Sequence, residues 1–187
     1  TLDAWGITTS STNTSVNGRE YSVAADYSVS AGLEFGGSKT TTTNDKYGTA
    51  TSTSTAGYTR IAAGYTGGYS VAATLDAWGI TTSSVNTSVN GREYSVAADY
   101  SVSAGLEFGG SKTTTTNDKY GTATSTSTAG YTRIAAGYTG GYSVAATLDS
   151  WGITTSSTNT SVNGREYSLA ADYSVSAGLE FGGSKTT

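Results

Sequence analysis

A stretch of seventeen residues with strict two-residue periodicity occurs three times in this chain. It reads YSVAADYSVSAGLEFGG at residues 21–37 and 94–110, and it recurs with one substitution at residues 167–183. Apolar side chains occupy its odd positions, and small, polar or acidic residues occupy its even positions. Such alternation is typical of β-strands with one apolar and one polar face. We therefore expect two strands in each copy, separated by a short break near residues 28–30.

The chain is built from near-identical units of 73 residues. Residues 1–73 recur as residues 74–146 with one substitution, Thr12 against Val85, and a partial third copy covers residues 147–187. Repetition at a fixed period indicates one structural unit used several times. We interpret residues 1–187 as a single domain composed of these internal repeats.

Four strands are predicted in each complete unit. The first three cover residues 1–11, 19–28 and 31–43, and the fourth ends near Tyr65. Asn and Gly tolerate positive φ and so favour turns. The predicted connections lie at Asn17 and Gly18, at residues 44–48, and at Gly67 and Gly68. The whole chain then has about 10–12 strands and no helical pattern. The predicted fold is all-β, an antiparallel up-and-down meander.

Charged residues fall on the small-residue face of these predicted strands. Asp26 alternates with Ala25 and Tyr27, for example. A soluble sandwich would bury the apolar face, whereas a membrane barrel would turn it toward lipid and place the charges in a water-filled lumen. A meander of this length must close on itself or hide its edges in some other way. Tight turns on one side with longer polar loops on the other are the layout of outer-membrane barrels, so we predict closure into a transmembrane β-barrel. The predicted lumen-lining charges are Asp26, Glu34, Arg60, Asp76, Asp99, Glu107, Arg133, Asp149, Asp172 and Glu180.

Aromatic residues cluster near the ends of the predicted strands. This placement is typical of the aromatic girdles at membrane interfaces. Trp5, Trp78 and Trp151 share the parity of the acids, which does not fit a lipid-facing position unless a bulge shifts the phase. They are interpreted either as packed or interfacial residues or as a carbohydrate platform. The predicted girdle residues are Tyr21, Tyr27, Tyr65, Tyr69, Tyr94, Tyr100, Tyr138 and Tyr142.

The composition leaves little room for catalysis. The chain has no Cys and no His, so it lacks thiolate ligands, imidazole ligands and the commonest general base. Asp26 and Glu34 lie on one face of adjacent predicted strands, as glycosidase acids do, but solvated acids are the preferred interpretation. A net charge of −4 disfavours phosphate binding. We predict no enzymatic activity, no metal, no cofactor and no nucleic-acid partner.

The segments YSVAADYSVSAGLEFGGS and GGYSVAATLDAWGI resemble strand hairpins of Gram-negative outer-membrane porins. The resemblance covers most of the unit and rests on amphipathic strands with small residues. It implies a transmembrane β-barrel in the bacterial outer membrane, with the lipid bilayer as partner and passive passage of small hydrophilic solutes or ions. Acids outnumber bases among the predicted lumen charges, so a mild cation preference is expected. Arg60 and Arg133 are either selectivity charges or cross-strand salt partners.

The identity of the units supports two other interpretations. One is an extracellular or cell-surface structural protein, a self-assembling fibre or adhesin subunit whose units stack or join between chains. Hydroxyl-rich tracts such as residues 51–55 fit it, because stacked hydroxyl side chains stabilise repetitive sheets. The other is a designed repeat barrel. A homo-oligomer or multi-chain assembly is expected in either of the natural cases.

Overall fold

The computed structural model describes most of the chain, and all regular secondary structure in the described part is β, as predicted. The described residues are 1–19, 22–23, 25, 29–30, 33–62, 65–92, 95–96, 102–103, 106–135, 138–165, 168–176 and 179–187. The long strands are β1 (Ser10–Arg19), β4 (Leu33–Asn44), β5 (Ala50–Ala62), β6 (Tyr65–Leu75), β7 (Thr81–Arg92), β10 (Leu106–Asn117), β11 (Ala123–Ala135), β12 (Tyr138–Leu148), β13 (Thr154–Arg165) and β16 (Leu179–Thr186). The short strands are β2 (Ser22–Val23), β3 (Val29–Ser30), β8 (Ser95–Val96), β9 (Val102–Ser103), β14 (Ser168–Leu169) and β15 (Val175–Ser176).

The long strands form one antiparallel sheet of ten strands, in the order β1-β4-β5-β6-β7-β10-β11-β12-β13-β16. Apart from the short strands, the order in space follows the order along the chain. The predicted antiparallel up-and-down meander is therefore confirmed. The short strands pair separately as β2–β3, β8–β9 and β14–β15.

The sheet is open and does not form the predicted barrel. Its edge strands β1 and β16 do not pair with each other. The strand registers give the reason, because the line of paired residues from Ser10 and Thr43 to Thr147 and Ser156 stays at the same distance from the connecting turns on every strand. Barrel closure requires strands staggered by a fixed shear. Strands whose ends stay level with one another accumulate no such stagger.

Serine and threonine alternate along this line, which we call the hydroxyl row. Thr74 Oγ1 lies 2.6 Å from Ser83 Oγ, and Thr147 Oγ1 lies 2.6 Å from Ser156 Oγ. Such cross-strand hydroxyl pairs stabilise the register of neighbouring strands. The row consists of Ser10, Thr43, Ser52, Thr74, Ser83, Thr116, Ser125, Thr147 and Ser156. Because the row is straight, every connection beyond it begins at the same level of the sheet.

The periodic stretch forms a short hairpin followed by the start of a long strand, where two long strands were predicted. In the third unit the hairpin β14–β15 packs against the sheet. The ring of Tyr173 meets the ring of Tyr131 edge-on, with centroids 5.6 Å apart and an interplanar angle of 85°. Val175 fills the space beside Gly141, where an added β-carbon would lie 2.7 Å from that of Val175. These contacts form a small apolar cluster on one face of the sheet.

The two faces of the sheet are otherwise largely polar. Face A carries the hydroxyl row together with Tyr58 and Tyr131, and face B is the opposite face, which carries Tyr69 and Tyr142. Tyr58 and Tyr131 are the large apolar side chains that are buried among the described residues, each at 2% exposure. Thr40 on face B pairs with Thr55 through hydroxyls 2.9 Å apart. The described part of the chain contains no helix that could span a membrane.

Two of the predicted turns are wrong, and one is confirmed. Asn17 and Gly18 lie inside β1, where the register shifts between them, and Gly67 and Gly68 lie inside β6. Gly68 pairs with Tyr58 on the neighbouring strand, so this glycine continues the sheet and does not reverse the chain. The loop at residues 44–48 is confirmed as the connection between β4 and β5. Residues 1–11, predicted as a strand, contain a turn before β1 begins.

Candidate binding site

A five-residue turn with the pattern Asp-x-aromatic-Gly-x connects strands at one end of the sheet. In residues 76–80, the amide of Asp76 donates to the carbonyl of Ile80 at 2.9 Å, and the amide of Gly79 donates to the carbonyl of Asp76 at 3.0 Å. The carboxylate Oδ1 of Asp76 accepts the amides of Trp78 and Ile80 at 2.8 and 2.9 Å. Gly79 has φ +77°, which glycine adopts without steric cost. The turn is therefore fixed by backbone hydrogen bonds and by the Asp76 carboxylate, and the Trp78 side chain is left 85% exposed.

The same turn occurs five times, at residues 3–7, 45–49, 76–80, 118–122 and 149–153. In each copy the Asp carboxylate accepts the amides of the third and fifth residues. The third residue alternates between Trp and Tyr along the sheet. We call these five side chains the aromatic row: Trp5 (88% exposed), Tyr47 (75%), Trp78 (85%), Tyr120 (74%) and Trp151 (84%).

Successive turns of the aromatic row lie two strands apart, since residues 45–49 join β4 to β5 and residues 76–80 join β6 to β7. Neighbouring strands are about 4.8 Å apart, so the turns recur roughly every 10 Å and the row extends for roughly 40 Å. Each turn contacts the next. A β-carbon placed on Gly48 would lie 3.4 Å from Cγ2 of Ile7, and one on Gly121 would lie 3.3 Å from Cγ2 of Ile80. In the two alternate contacts a threonine methyl takes the place of the isoleucine. Cγ2 of Thr49 and of Thr122 would lie 3.6 Å from a β-carbon placed on Gly79 and on Gly152, respectively.

The charges near the aromatic row are partly engaged within the turns. The five Asp carboxylates accept backbone amides, and the two Lys side chains lie over aromatic rings. Lys46 Nζ is 4.9 Å from the ring centroid of Tyr47, and Lys119 Nζ is 4.8 Å from that of Tyr120. Such cation–π contacts contribute about 0.5–1 kcal/mol at exposed sites. The described residues contain no group of three or more His, Cys, Asp or Glu side chains that could hold a metal ion. The regularly spaced aromatic rings are therefore the groups of this site that can bind a ligand.

We expect Asp76→Ala to loosen its turn while the sheet stays folded. The variant loses the acceptor for the amides of Trp78 and Ile80, at about 1 kcal/mol for each exposed hydrogen bond. Amide hydrogen exchange at these two residues should accelerate about tenfold, which corresponds to about 1.4 kcal/mol. The control is Asp76→Asn, which keeps the Oδ1 acceptor. Equal acceleration in both variants would show that the side-chain acceptor does not hold the turn.

The described residues among the charges predicted to line a lumen lie in three settings. Asp76 and Asp149 belong to turns of the aromatic row. Arg60 and Arg133 are exposed on face A, with Cζ 5.5 and 5.6 Å from the ring centroids of Tyr58 and Tyr131. Asp172 lies in the turn of hairpin β14–β15. Glu34, Glu107 and Glu180 belong to β4, β10 and β16, but their side chains are outside the described part, as are residues Asp26 and Asp99.

The predicted aromatic girdle is described at two positions. Tyr69 and Tyr142 are 41% and 42% exposed on face B, where their rings cover Gly57 and Gly130 on the neighbouring strand. They lie far along the strands from the aromatic row. Tyr65 and Tyr138 begin β6 and β12, and their side chains are outside the described part. Tyr21, Tyr27, Tyr94 and Tyr100 lie outside the described residues altogether.

The pKa of Asp172 is held below its ordinary value by hydrogen bonds, first from the hydroxyl of Ser174 and then from the amide of the same residue. The hydroxyl donates at 2.6 Å and the amide at 3.0 Å. A carboxylate whose pKa is lowered by folding stabilises the fold at pH values above its unfolded pKa. That stabilisation is lost as the pH falls through the folded pKa.

We expect Ser174→Ala to raise the pKa of Asp172 toward its ordinary value, because the variant removes the stronger of the two donors. An NMR titration of the Asp172 carboxyl carbon measures the change. Ser143→Ala, which removes an exposed hydroxyl from β12, is the control and should leave this titration unchanged. A titration of Asp172 unaltered by Ser174→Ala would contradict the assignment.

Tyr47 and Tyr120 were not identified by the sequence argument, although they occupy the same turn position as the tryptophans. The signal is the shared pattern: residues 45–49 read DKYGT, and residues 76–80 read DAWGI. An analysis of alternating side chains misses this pattern, because it divides the chain into strands and loops and does not compare the loop at residues 45–49 with the segment at residues 76–80. The turn also removes the parity conflict of Trp5, Trp78 and Trp151, which do not lie on either face of a strand.

Comparisons of the chain with protein-family models, with curated proteins and with solved structures give no match. The interpretation of the site therefore rests on its own geometry.

Proposed function

We propose that this chain is a non-enzymatic extracellular β-repeat scaffold, an adhesin-type or fibre-type subunit that binds a repetitive surface through the aromatic row. The observation that carries the proposal is the set of five Trp and Tyr side chains, 74–88% exposed, on contacting turns of one design. Large aromatic side chains are the residues that most often supply binding energy at protein interfaces. Exposing five of them in a line is costly for solubility unless they meet a ligand.

The rest of the sheet supports a scaffold role. The hydroxyl row stabilises the register of the strands. The turns that lie beside the row are fixed by their own hydrogen bonds and contact one another. A rigid, pre-ordered array loses little conformational entropy on binding. Each added unit extends the array by the same spacing, so the tandem repeat directly sets the number of contacts.

The experiment measures adhesion of the purified chain, coupled to beads in detergent-free buffer, to a panel of cellulose, chitin, hydroxyapatite and lipid-coated surfaces. We expect retention on at least one surface and a loss of at least about tenfold when Trp5, Trp78 and Trp151 are replaced by alanine. The control replaces Tyr69 and Tyr142, aromatic residues away from the row, and should retain adhesion. No retention on any surface, or an equal loss in the control, would overturn the proposal.

A second candidate is the pore-forming barrel in the bacterial outer membrane, which passes small solutes or ions. It is favoured by the even number of strands in the sheet and by the antiparallel orientation of β1 and β16, since bacterial barrels have even strand numbers. The polar character of both faces weighs against it, because a lipid-facing surface needs an apolar band. A homo-oligomer or multi-chain assembly would be needed to supply the stagger that this register lacks.

Planar-bilayer conductance of detergent-purified protein tests this second candidate. Discrete steps with a reversal potential favouring cations would support it, because acids outnumber bases among the charges assigned to the lumen. A silent bilayer, together with adhesion that depends on the aromatic row, would leave the scaffold as the function.

A further inference from the structure

We propose that the aromatic row binds extended chains of neutral β-1,4-linked pyranose sugars, which lie across the strands and stack one sugar face on each successive ring. This inference rests on the proposed scaffold function and names its ligand class. Its starting point is the regular position of Trp5, Tyr47, Trp78, Tyr120 and Trp151, which occupy the third place of identical turns.

The spacing of the row matches this ligand. The turns recur roughly every 10 Å, because they lie two strands apart. A β-1,4-linked chain is a flat ribbon in which each sugar is turned over relative to the last, so the same ring face recurs every second sugar. Two such sugars cover about the length between neighbouring turns. A single extended chain therefore brings one equivalent face to each aromatic residue, from Trp5 to Trp151.

The chemistry of the row favours sugars for a second reason. Aromatic rings carry negative charge on their faces, and the axial C–H groups of a pyranose ring are weakly positive, so the two surfaces attract when they stack. Stacking needs no movement of the turn backbone, since the turns are held by their Asp carboxylates. On Tyr47 and Tyr120 the sugar takes the ring face opposite to the lysine that lies over each ring.

The charge of the turns selects a neutral ligand. Five carboxylates and two ammonium groups surround the rings, and the whole chain carries a net charge of −4. This balance repels anionic polymers and the anionic lipids to which peripheral proteins bind through basic residues. Interfacial helices and loops insert into bilayers through contiguous apolar surface with basic flanks, whereas every ring here shares its turn with an Asp carboxylate, and lysine occurs only in the two Tyr turns, at Lys46 and Lys119.

The number of rings predicts how affinity depends on ligand length. A disaccharide stacks on one ring, whereas an oligosaccharide of six sugars reaches three neighbouring rings. Once the first ring is engaged, the others bind at high effective concentration, so the hexasaccharide should bind about 100-fold more tightly than the disaccharide. The effect of removing one ring should also depend on its place. Trp78 is central, and its loss divides the row into two pairs, whereas the loss of Trp5 leaves four consecutive rings.

The experiment titrates the full chain with cello-oligosaccharides of two to six sugars, follows tryptophan fluorescence, and measures retention on insoluble cellulose. We expect affinity to increase with length and retention on cellulose to fall at least about tenfold more in Trp78→Ala than in Trp5→Ala. These two variants form a matched pair, because Trp78 and Trp5 are 85% and 88% exposed at the same position of two turns of the same type. Circular dichroism checks that both remain folded.

Two control ligands complete the test. Malto-oligosaccharides contain the same glucose units in a helical chain whose ring faces do not recur along a line, and they should show no gain with length. Phosphatidylcholine vesicles, with and without phosphatidylglycerol, test a lipid surface. Length-independent binding of cello-oligosaccharides, equal binding of both sugar series, or binding to vesicles alone would overturn the proposal. Row-dependent adhesion to another surface in the bead assay would then preserve the scaffold function and reject only this ligand class.

Discussion

Tyr131→Ala is expected to lower the free energy of unfolding by about 3–5 kcal/mol, the range for truncating a large buried aromatic side chain. The ring of Tyr131 is 2% exposed and lies between Gly110 and Gly141 on the neighbouring strands. These glycines have no side chains that could close the void. The variant also loses the edge-on contact with Tyr173, so the hairpin β14–β15 loses part of its attachment to face A.

The repeat supplies the controls for this prediction. Tyr58 has the same exposure and the corresponding glycine neighbours, so Tyr58→Ala should cost about as much. Tyr120 is 74% exposed in its turn, and Tyr120→Ala should change stability by about 0.5 kcal/mol or less. Urea unfolding followed by far-UV circular dichroism gives the totals, and hydrogen exchange in β11 locates the loss, since repeat arrays can unfold in parts. Equal losses for Tyr131→Ala and Tyr120→Ala would contradict the assigned burial.

Local patterns predicted the all-β class, the antiparallel meander and the loop at residues 44–48. Each of these depends on a few neighbouring residues: alternation makes a strand, and Asn, Asp and Gly together make a turn. Closure of the sheet could not be predicted in the same way. It depends on the sum of the registers across all strands, and the level strand ends from Ser10 to Ser156 are known only once every pair is known.

The glycines also show that local patterns do not decide the role of every residue. Gly67 and Gly68 have the composition of a turn, yet Gly68 lies in β6 because its partner across the strands is Tyr58. A long-range partner therefore decides the role of a residue whose local preference points elsewhere. Asn17 and Gly18 stay inside β1 for the same kind of reason, since they pair with Gly36 and Glu34 of β4, and the extra residue of this bulge lies in β4.

Three of the five residues of the aromatic row were identified from the sequence. Trp5, Trp78 and Trp151 were singled out because their parity conflicts with that of a lipid-facing strand, and a carbohydrate platform was one interpretation of them. The distance between them could not be obtained from the chain, because it depends on how many strands separate successive turns in the assembled sheet. Sequence separation of the turns alternates between 42 and 31 residues, as from Asp3 to Asp45 and from Asp45 to Asp76, whereas their spacing in the sheet is uniform.

Gly130→Ala is expected to lower the free energy of unfolding by about 1–3 kcal/mol, the usual cost of forcing extra volume into a close contact. A β-carbon on Gly130 would overlap ring atoms of Tyr142, which is its partner on β12. The ring must then leave its position over the strand, or β11 and β12 must separate locally. Gly57 and Tyr69 repeat the arrangement in the first unit, and Gly57→Ala should have an equal effect.

A double-mutant cycle identifies the overlap as the cause. Tyr142→Ala removes a ring that is 42% exposed, so its own cost is about 1 kcal/mol. In Gly130→Ala/Tyr142→Ala the added methyl meets no ring, and the double variant should be more stable than the sum of the single changes by at least about 1 kcal/mol. Gly140→Ala is the control, because a β-carbon there would approach no atom closer than 3.8 Å. Strict additivity in the cycle would mean that the glycine is required by the backbone itself and not by the tyrosine ring that covers it.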